Sequence, residues 1–276
     1  MPEKPEVITV ANKLKSKNLN RKIIDVVVKN SSTIDFPTVS EFTTRIKGQQ
    51  INDITTRGKW IVIELDKDFL LIHLRMTGKF FYRKKEDEIS SHEHVIFTLD
   101  NNEELRFHDT RKFGKMKLIP KEKIDEMPPF TELGLEVWDE KLTANYLLEK
   151  LKRKSLPIKI ALLDQTIITG IGNIYADEIL FLTKLNPTTP SNQVKEKELN
   201  QLISNSIKVL DKAIEEGGTT IRDYTSEEGV TGLFQNHLNV HQQEGKACLI
   251  CSTTIVKTRI GGRGTYYCPT CQKDTK

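Results

Sequence analysis

The stretch CLICSTTIVKTRIGGRGTYYCPTC runs from Cys248 to Cys271 and decides how the C-terminal part of the chain folds. It contains all four cysteines, as two Cys-x2-Cys pairs separated by 16 residues. Each pair offers two thiolates from one tight turn, and two such turns joined by a hairpin close a tetrahedral Zn²⁺ site. Two disulfide bonds are the alternative, although this spacing is more typical of metal binding. We predict one structural Zn²⁺ with four ligands: Cys248, Cys251, Cys268 and Cys271.

The composition is that of a soluble globular protein, with 37% hydrophobic and 29% charged residues in a chain of 276. No apolar run approaches the ~18 residues that a membrane span needs. The N-terminal residues MPEKPEVITV carry acids where a signal peptide would carry a basic start and an apolar stretch. We therefore expect a cytoplasmic protein without a membrane partner, in a compartment that keeps thiols reduced for a metal.

The positive charge is concentrated at the C-terminus. Residues 241–276 hold six basic residues and two acids, which accounts for the whole net charge of +4. A basic metal-binding module on a neutral body is typical of proteins that bind a polyanion. A solvated lysine-rich tail explains the charge equally well.

Residues 1–120 read as a β domain with an early helix, over Pro5–Lys17, as the exception. Short runs rich in β-branched and aromatic residues alternate with polar turns. The predicted strands are Ile23–Val28, Trp60–Leu65, Phe69–Leu74, Val95–Leu99 and Leu105–His108.

The rest of the chain has a different pattern. Residues 121–141, which include Pro128 and Pro129, are typical of a linker. From Leu142 the apolar period becomes helical, and we predict a helix over Asn173–Leu185 and another that ends at Gly217-Gly218. The chain is thus predicted to be α+β, in the order β domain (1–120), linker (121–141), helical domain (142–240) and zinc hairpin (241–276).

The first candidate for chemistry is the N-terminus, Met1-Pro2-Glu3. Removal of Met1 would leave proline with a secondary amine that is nucleophilic near neutral pH. Attack on a sugar aldehyde carbon would give an iminium that stays cationic, and Glu3 could act as acid or base. A frayed terminus is the alternative.

Three further segments carry candidate residues. Lys59 enters a strand and is either a proton donor, a phosphate ligand or a solvated surface charge. The turn Gly170–Asn173 leads into a helix whose first N–H groups suit a phosphate, whereas Asn173 also suits a simple N-cap. In the hairpin Arg259–Tyr267, glycines allow close approach to a duplex and arginines suit phosphates.

Taken together, these motifs resemble the bacterial formamidopyrimidine-DNA glycosylase family along essentially the whole chain. The likeness includes Met1–Val7, Arg57-Gly58-Lys59, His73–Gly78, Asp109–Gly114, Leu163-Asp164-Gln165 with Gly170–Glu178, Gly217–Thr220 and Gly264–Gln272. The resemblance implies an N-terminal β-sandwich, a helix-two-turn-helix domain and a zinc-finger β-hairpin with four cysteine ligands. It also implies a DNA repair enzyme for oxidised purines, 8-oxoguanine and formamidopyrimidines, in damaged double-stranded DNA. Its second activity would be that of a lyase at abasic sites, and we expect it to act as a monomer at the nucleoid.

The resemblance assigns roles to individual residues. Pro2 would attack C1′ of the damaged nucleotide, Glu3 would be the acid–base partner, Lys59 would assist β-elimination, and Arg263 would bind the lesion phosphate and assist δ-elimination. Met76, Arg111 and Phe113 match the trio that fills the gap left by a flipped base. Contacts to DNA are also implied for His92, Lys154 and Asn173, and supporting roles for Glu6, Glu178, Thr219 and Tyr224. In isolation, Met76 and Phe113 would be core residues.

The chain departs from the family pattern at several positions. Lys4 stands where leucine is usual and places a charge beside the nucleophile, and His241-Gln242-Gln243 replaces a usual Tyr-Gly-Arg. Two competing hypotheses stay open. One is the related endonuclease VIII type, which acts on oxidised pyrimidines, and the other is a zinc-ribbon DNA-binding protein without catalytic activity.

Overall fold

The computed structural model describes residues 1–219 and 232–273. The chain forms two compact units, the first built from Met1–Thr131 and the second from Glu132–Thr219 and the chain from Gly232 onward. Each unit has its own hydrophobic core, and the mixture of sheets and helices confirms the predicted α+β class. Among the described helices, none has both the length and the apolar content needed to cross a bilayer.

The first unit combines two sheets with two α-helices in the described residues 1–131. Its elements are α1 (Lys4–Asn18), β1 (Ile23–Val28), β2 (Ile34–Phe36), α2 (Val39–Ile46), β3 (Asp53–Arg57), β4 (Trp60–Glu64), β5 (Asp68–His73), β6 (Lys79–Lys84), β7 (Glu93–Leu99), β8 (Glu103–His108) and β9 (Lys115–Pro120), with 3₁₀ turns at Ser31–Thr33 and Lys121–Lys123. One sheet has the order β1-β7-β8-β6 and the other β2-β9-β5-β4-β3. All neighbouring strands are antiparallel except β2 and β9.

Both sheets and both helices bury their apolar side chains in one core. Alternate residues of the strands point into it, as Ile61 and Ile63 of β4 do, while α1 contributes Val7 and Leu14. Helix α2 is short but amphipathic, because Phe42 and Ile46 lie one turn apart and are fully buried. Its first turn is capped by the Thr38 hydroxyl, which accepts a hydrogen bond from the Glu41 N–H.

A charged side chain, Arg106 of β8, is fully buried in this unit. Its guanidinium donates to the carboxylates of Glu104 (2.8 Å) and Glu93 (3.1 Å). It also donates to the backbone carbonyls of Lys84, Asp87 and Glu88 at 3.0–3.1 Å. A buried charge is tolerated only when it is paired and hydrogen-bonded. Since three of the partners of Arg106 are backbone carbonyls, the same hydrogen bonds fix the segment between β6 and β7 that leads to His92.

We expect Arg106→Met to lower the free energy of unfolding of this unit by about 3–5 kcal/mol, since it leaves two buried carboxylates without their cation. Urea unfolding monitored by circular dichroism measures the change. The matched control is Lys85→Met, which removes an exposed cation in the neighbouring turn. A loss no larger than that of the control would contradict this account of the network.

The second unit is mainly helical and ends in a β-hairpin. Its elements are α3 (Ala144–Leu151), α4 (Ile158–Leu163), α5 (Asn173–Thr183), α6 (Glu196–Glu215), β10 (Val256–Ile260) and β11 (Arg263–Tyr267), with 3₁₀ turns at Ser191–Gln193 and Phe234–His237. Leu199, Leu202 and Leu210 of α6 form an apolar stripe that packs in the same core as Ile179 and Leu180 of α5. Strands β10 and β11 pair through the two-residue turn Gly261-Gly262, where both φ angles are positive (+54° and +77°). Such a turn suits glycine at both positions.

The predicted strands and helices are confirmed with small shifts of their ends. The early helix is not the only one in residues 1–120, however, so that part of the prediction is wrong. Helix α2 lies there too, and β2, β3, β6 and β9 add strands that the sequence pattern did not reveal. The predicted domain boundaries stay a prediction, although the first unit ends at Thr131, inside the segment 121–141.

Candidate active site and metal centre

The N-terminal segment is held in place, so the alternative of a frayed terminus is wrong. Pro2 is buried and Glu3 is 2% exposed, whereas Met1 is 40% exposed. Glu3 is the N-cap of α1, and its backbone N–H donates to the Glu6 carboxylate at 2.8 Å. Glu6, itself buried, therefore orders the backbone of the residue that follows Pro2. A capping contact of this kind stabilises a helix start and restricts the residues just before it.

Lys59 lies in the tight turn between β3 and β4, in the same unit as Pro2. Arg57 and Trp60 pair across the turn, and Gly58 has φ +55° at its first central position, where the primed hairpin turns favour glycine. Lys59 is 6% exposed, so the alternative of a solvated surface charge is wrong. A buried amine in a water-poor site is suited to proton transfer.

Burial gives His73, at the end of β5, an unusual acid–base state. Desolvation lowers the pKa of His73 to about 3, and the positive charges of Arg75 and Lys59 act in the same direction. The ring packs edge-on against Trp60 at a centroid distance of 4.9 Å. Its Nδ1 accepts a hydrogen bond from the Arg75 N–H at 3.0 Å, which orients the turn leading to Met76.

Because the pKa of His73 is lower in the folded protein than in the unfolded chain, the unfolded chain binds the extra proton between about pH 6.5 and 3. Stability is therefore lost as the pH falls through this range, by about 1.4 kcal/mol per pH unit for one such group. His73→Asn keeps a hydrogen-bond acceptor but cannot titrate. We expect its urea-unfolding free energy to fall less steeply between pH 6.5 and 4 than that of the wild type. An equal pH dependence of the unfolding free energy in the two proteins would contradict the assignment of a lowered pKa to His73.

The three candidates for filling the gap left by a flipped base, called the wedge residues below, are Met76, Arg111 and Phe113. They lie on two connected turns. Phe113 is 48% exposed, so it is not a core residue, and the Arg111 guanidinium lies 4.9 Å from the centre of its ring. Met76 is half-buried on the turn between β5 and β6. The Arg111 N–H donates to the Thr77 hydroxyl at 3.2 Å, and this contact ties the turn of Met76 to that of Arg111 and Phe113.

Asp109 organises both of these turns from a buried position. Its carboxylate accepts hydrogen bonds from the Thr77 hydroxyl and from the N–H groups of Arg111 (3.2 Å) and Gly114 (2.7 Å). Gly114 approaches closely: a Cβ atom there would lie 2.5 Å from the Phe107 ring. His92, the candidate DNA contact, accepts a hydrogen bond on its carbonyl from the Asp109 N–H at 2.9 Å. The buried Asp109 thus contacts both turns of the wedge residues and the backbone of His92.

In the second unit, Arg263 is exposed at the start of β11. The next residue, Gly264, is fixed, because its carbonyl accepts hydrogen bonds from Lys159 Nζ and Asn173 Nδ2, each at 3.0 Å. The N-cap of α5 is Gly172, so the expectation that Asn173 could serve as the N-cap is wrong. The side chain of Asn173 instead holds the backbone beside Arg263.

A buried charge network behind the hairpin was not predicted. Lys159 and Asp177 are both fully buried and form an ion pair of 2.7 Å. The same lysine donates to the Thr265 hydroxyl at 2.8 Å, and His241 Nδ1 lies 2.7 Å from Asp177. His241 also contacts the Tyr266 ring edge-on at 5.0 Å. The signal in the sequence is a single lysine within the apolar run Leu156–Leu163, which indicates a buried and therefore paired cation.

The remaining candidates in this unit have defined positions. Both oxygens of the buried Glu178 carboxylate accept hydrogen bonds at 2.9 Å, from Asn239 and from the N–H groups of Val240 and His241. Lys154 is partly exposed and pairs with Asp164 at 3.0 Å. Thr219 is buried and forms an isolated antiparallel β-bridge with Leu233. Tyr224 lies outside the described residues.

The four cysteines converge at the base of the hairpin. Their sulfur atoms all lie within 4.8 Å of one another, with separations of 3.9 Å (Cys248–Cys271), 3.4 Å (Cys251–Cys268) and 3.5 Å (Cys251–Cys271). Sulfur ligands at ~2.3 Å from a tetrahedral Zn²⁺ lie about 3.8 Å apart. All four are free thiols, so the disulfide alternative is wrong, and the donor set fits one structural Zn²⁺.

The surroundings of the four cysteines shift the pKa values of their thiols in opposite directions. Burial and the neighbouring thiols raise the pKa of Cys271 to about 12, while hydrogen bonds from Thr253 lower the pKa of Cys251 to about 6. Four thiolates cannot coexist at these distances without a cation. Gln272 joins the second Cys pair to the helical core, because its Nε2 donates to the Leu185 carbonyl at 2.9 Å and its Oε1 accepts from the Cys268 N–H at 2.9 Å.

Comparison with known proteins gives one consistent result. Residues 1–116 match the formamidopyrimidine-DNA glycosylase N-terminal domain, residues 133–225 its H2TH domain, and residues 245–273 the zinc finger found in FPG and IleRS. The formamidopyrimidine-DNA glycosylases of Oceanobacillus iheyensis and an Exiguobacterium species are each 41% identical to the chain, over 99% of its length and 98% and 100% of theirs.

Solved structures agree. A Lactococcus lactis FPG mutant in complex with Fapy-dG-containing DNA aligns with a TM-score of 0.92 and 34% identity, covering 99% of this chain and 100% of that one. MutM in complex with DNA that contains carbocyclic 8-oxo-G aligns with a TM-score of 0.91, the same identity and the same coverage. The chain therefore belongs to the formamidopyrimidine-DNA glycosylase family, whose members are DNA repair enzymes that act on damaged DNA and have lyase activity at abasic sites.

Proposed function

We propose that this enzyme excises oxidised purines from duplex DNA through a Schiff base on Pro2 and then cleaves the abasic strand by β,δ-elimination. The observation that carries the proposal is the arrangement of its N-terminus. Pro2 and Glu3 are buried at the start of α1, in the unit that also holds the buried Lys59, while Met1 is the exposed residue. The proposal requires removal of Met1, because only then is the Pro2 nitrogen a secondary amine.

The first stage forms the Pro2–C1′ bond and breaks the bond between C1′ and the damaged base. Glu3 protonates the sugar ring oxygen as the ring opens, and the base leaves with a proton from the site. The product is an iminium that joins the Pro2 nitrogen to C1′. The Pro2 nitrogen loses its one hydrogen as a proton when the iminium forms. Because no second hydrogen remains to be lost, the iminium stays positively charged and accepts electrons in the next stage.

The second stage breaks the two bonds between the sugar and its phosphates. A base in the site takes a proton from C2′, which converts the iminium to an enamine. The enamine electrons then form the C2′=C3′ bond and expel the 3′ phosphate, which is the β-elimination. A second proton loss expels the 5′ phosphate, the δ-elimination, and water then releases the remaining sugar fragment from Pro2. We assign proton donation in the β step to Lys59 and binding of the lesion phosphate in the δ step to Arg263.

The target base must leave the helix stack before Pro2 can reach C1′. Met76, Arg111 and Phe113 are suited to fill the resulting gap, because an adaptable thioether, a planar cation and an exposed aromatic ring lie on two turns tied by Asp109. His92, Lys154 and Asn173 are proposed to contact the DNA, and Glu6, Glu178, Thr219 and Tyr224 to support the site. The similar solved structures are complexes with DNA that contains Fapy-dG, an abasic site or carbocyclic 8-oxo-G, which supports this substrate class.

The substrate class is tested by comparing two duplexes, one with 8-oxoguanine opposite cytosine and one with thymine glycol. We expect cleavage of the purine duplex with phosphates left at both ends of the gap, as β,δ-elimination requires. Preferential cleavage of the thymine-glycol duplex would contradict the choice of purines and favour the endonuclease VIII type. Sedimentation of the protein with and without DNA checks the accompanying proposal that it acts as a monomer.

A further inference from the structure

Lys4 occupies a position that the proposed chemistry does not use. It is the first residue of α1, directly after Glu3, and it is 3% exposed. Its ammonium donates to the Thr56 hydroxyl at 2.8 Å and to the Thr56 carbonyl at 3.3 Å. A lysine is rarely buried to this extent, because its charge must be taken out of water. A leucine at this position cannot make either hydrogen bond.

The partner of Lys4 lies close to the candidate proton donor. Thr56 belongs to β3 and pairs with Ile61 of β4, and the turn between these strands holds Gly58 and Lys59. The hydrogen bonds from Lys4 therefore connect the first turn of α1, which follows Pro2 and Glu3, to the hairpin that carries Lys59. Chain termini fray unless contacts hold them in place. The hydrogen bonds of the Lys4 side chain to Thr56 are such a contact.

We propose that Lys4 is a positioning residue for the reaction: it fixes the Pro2–Glu3 segment relative to the β3–β4 turn of Lys59. This inference rests on the proposed function, since it assumes that Pro2 is the nucleophile. The Glu6 carboxylate holds the Glu3 N–H from the side of α1, and Lys4 holds the same segment from the side of β3. The two contacts act together because the segment precedes α1 and lies outside the regular backbone hydrogen bonds of the helix.

The test uses the full-length, Met1-processed protein and a duplex with a preformed abasic site, which removes base excision from the measurement. Two quantities are determined: the single-turnover rate of the adduct trapped by borohydride at saturating enzyme, and the Kd for a duplex with an uncleavable abasic analogue. The variants are Lys4→Leu and the exchange of partners, Lys4→Thr with Thr56→Lys. Lys29→Leu removes an exposed cation of the same unit and serves as the matched control.

We expect Lys4→Leu to slow adduct formation about tenfold or more with Kd changed less than about twofold, since a misplacement of ~1 Å can cost ~100-fold in rate. The exchanged pair can re-form the hydrogen bond between an ammonium and a threonine hydroxyl across the same two positions and should recover part of the rate, whereas Lys29→Leu should match the wild type.

Two results would overturn the inference. One is a Lys4→Leu rate within twofold of the wild type. The other is a loss of rate that follows a loss of thermal stability and binding in both Lys4 variants, which would indicate a role in folding alone. Failure of the wild type itself to form an adduct would instead refute the proposed function, so the two failures are distinguishable.

Discussion

Replacing Glu3 with glutamine is expected to slow excision of 8-oxoguanine at least ~100-fold, because a positioned acid–base group contributes ~10²–10⁴ to such a rate. Glutamine has nearly the same shape as glutamate and retains an oxygen that can cap α1. It cannot donate or accept a proton during ring opening. The fold and the position of Pro2 should therefore be preserved while the chemistry is lost.

The measurement is a single-turnover excision assay, with the Kd for the same lesion duplex determined in parallel. We expect the affinity of Glu3→Gln to stay close to that of the wild type, since Glu3 is 2% exposed and has little surface for DNA. Glu122→Gln, which neutralises an exposed acid of the same unit, is the control for the change of net charge. A rate loss no larger than that of this control would show that Glu3 is not the acid–base partner.

Replacing Cys268 with serine is expected to abolish specific DNA binding, with a Kd increase of more than ~100-fold. A structural Zn²⁺ contributes ~10–16 kcal/mol to the folding free energy of small zinc modules. Loss of one of the four ligands therefore removes most of the free energy that stabilises the folded hairpin. Cys268 is fully buried, and its N–H is tied to Gln272. Without the metal, the short strands β10 and β11 have too little core to stay folded, and Arg263 loses its fixed position.

Zinc content, DNA affinity and the unfolding of each unit are measured on the same samples. We expect the β-sheet unit of Met1–Thr131 to keep its unfolding transition in Cys268→Ser, because its core is separate from the cysteine cluster. Thr254→Ala, an exposed change between the two Cys pairs, should leave zinc content and affinity unchanged. A zinc-free Cys268→Ser protein that binds lesion DNA like the wild type would refute the structural role.

The features predicted best from the sequence are those with a strong local signature. The spacing of the four cysteines by itself predicts a compact cluster, since the two pairs can meet only through a hairpin. Strand β1 carries β-branched residues at five of its six positions, and α6 shows a regular apolar stripe that stops at two glycines. In each case the determining information lies within about 25 residues of sequence, so no tertiary context is needed.

Other features depend on contacts between distant residues. Nothing local distinguishes the buried Lys59 from a surface lysine, because its burial follows from how β3, β4 and their neighbours pack. Asparagine is a favoured residue at an N-cap, yet the side chain of Asn173 instead donates a hydrogen bond to the carbonyl of Gly264, 91 residues away in the sequence. Helix α2 was missed because threonine and valine lower its helix propensity, and packing of Phe42 and Ile46 compensates.

The central claim is that Pro2, after removal of Met1, is the nucleophile. It is tested most directly by trapping the Met1-processed enzyme on abasic duplex DNA with borohydride and locating the modified residue by peptide mass spectrometry. We predict a covalent adduct on the Pro2 nitrogen, and no adduct with protein that retains Met1. An adduct on a lysine, or no adduct with fully processed protein, would contradict the account.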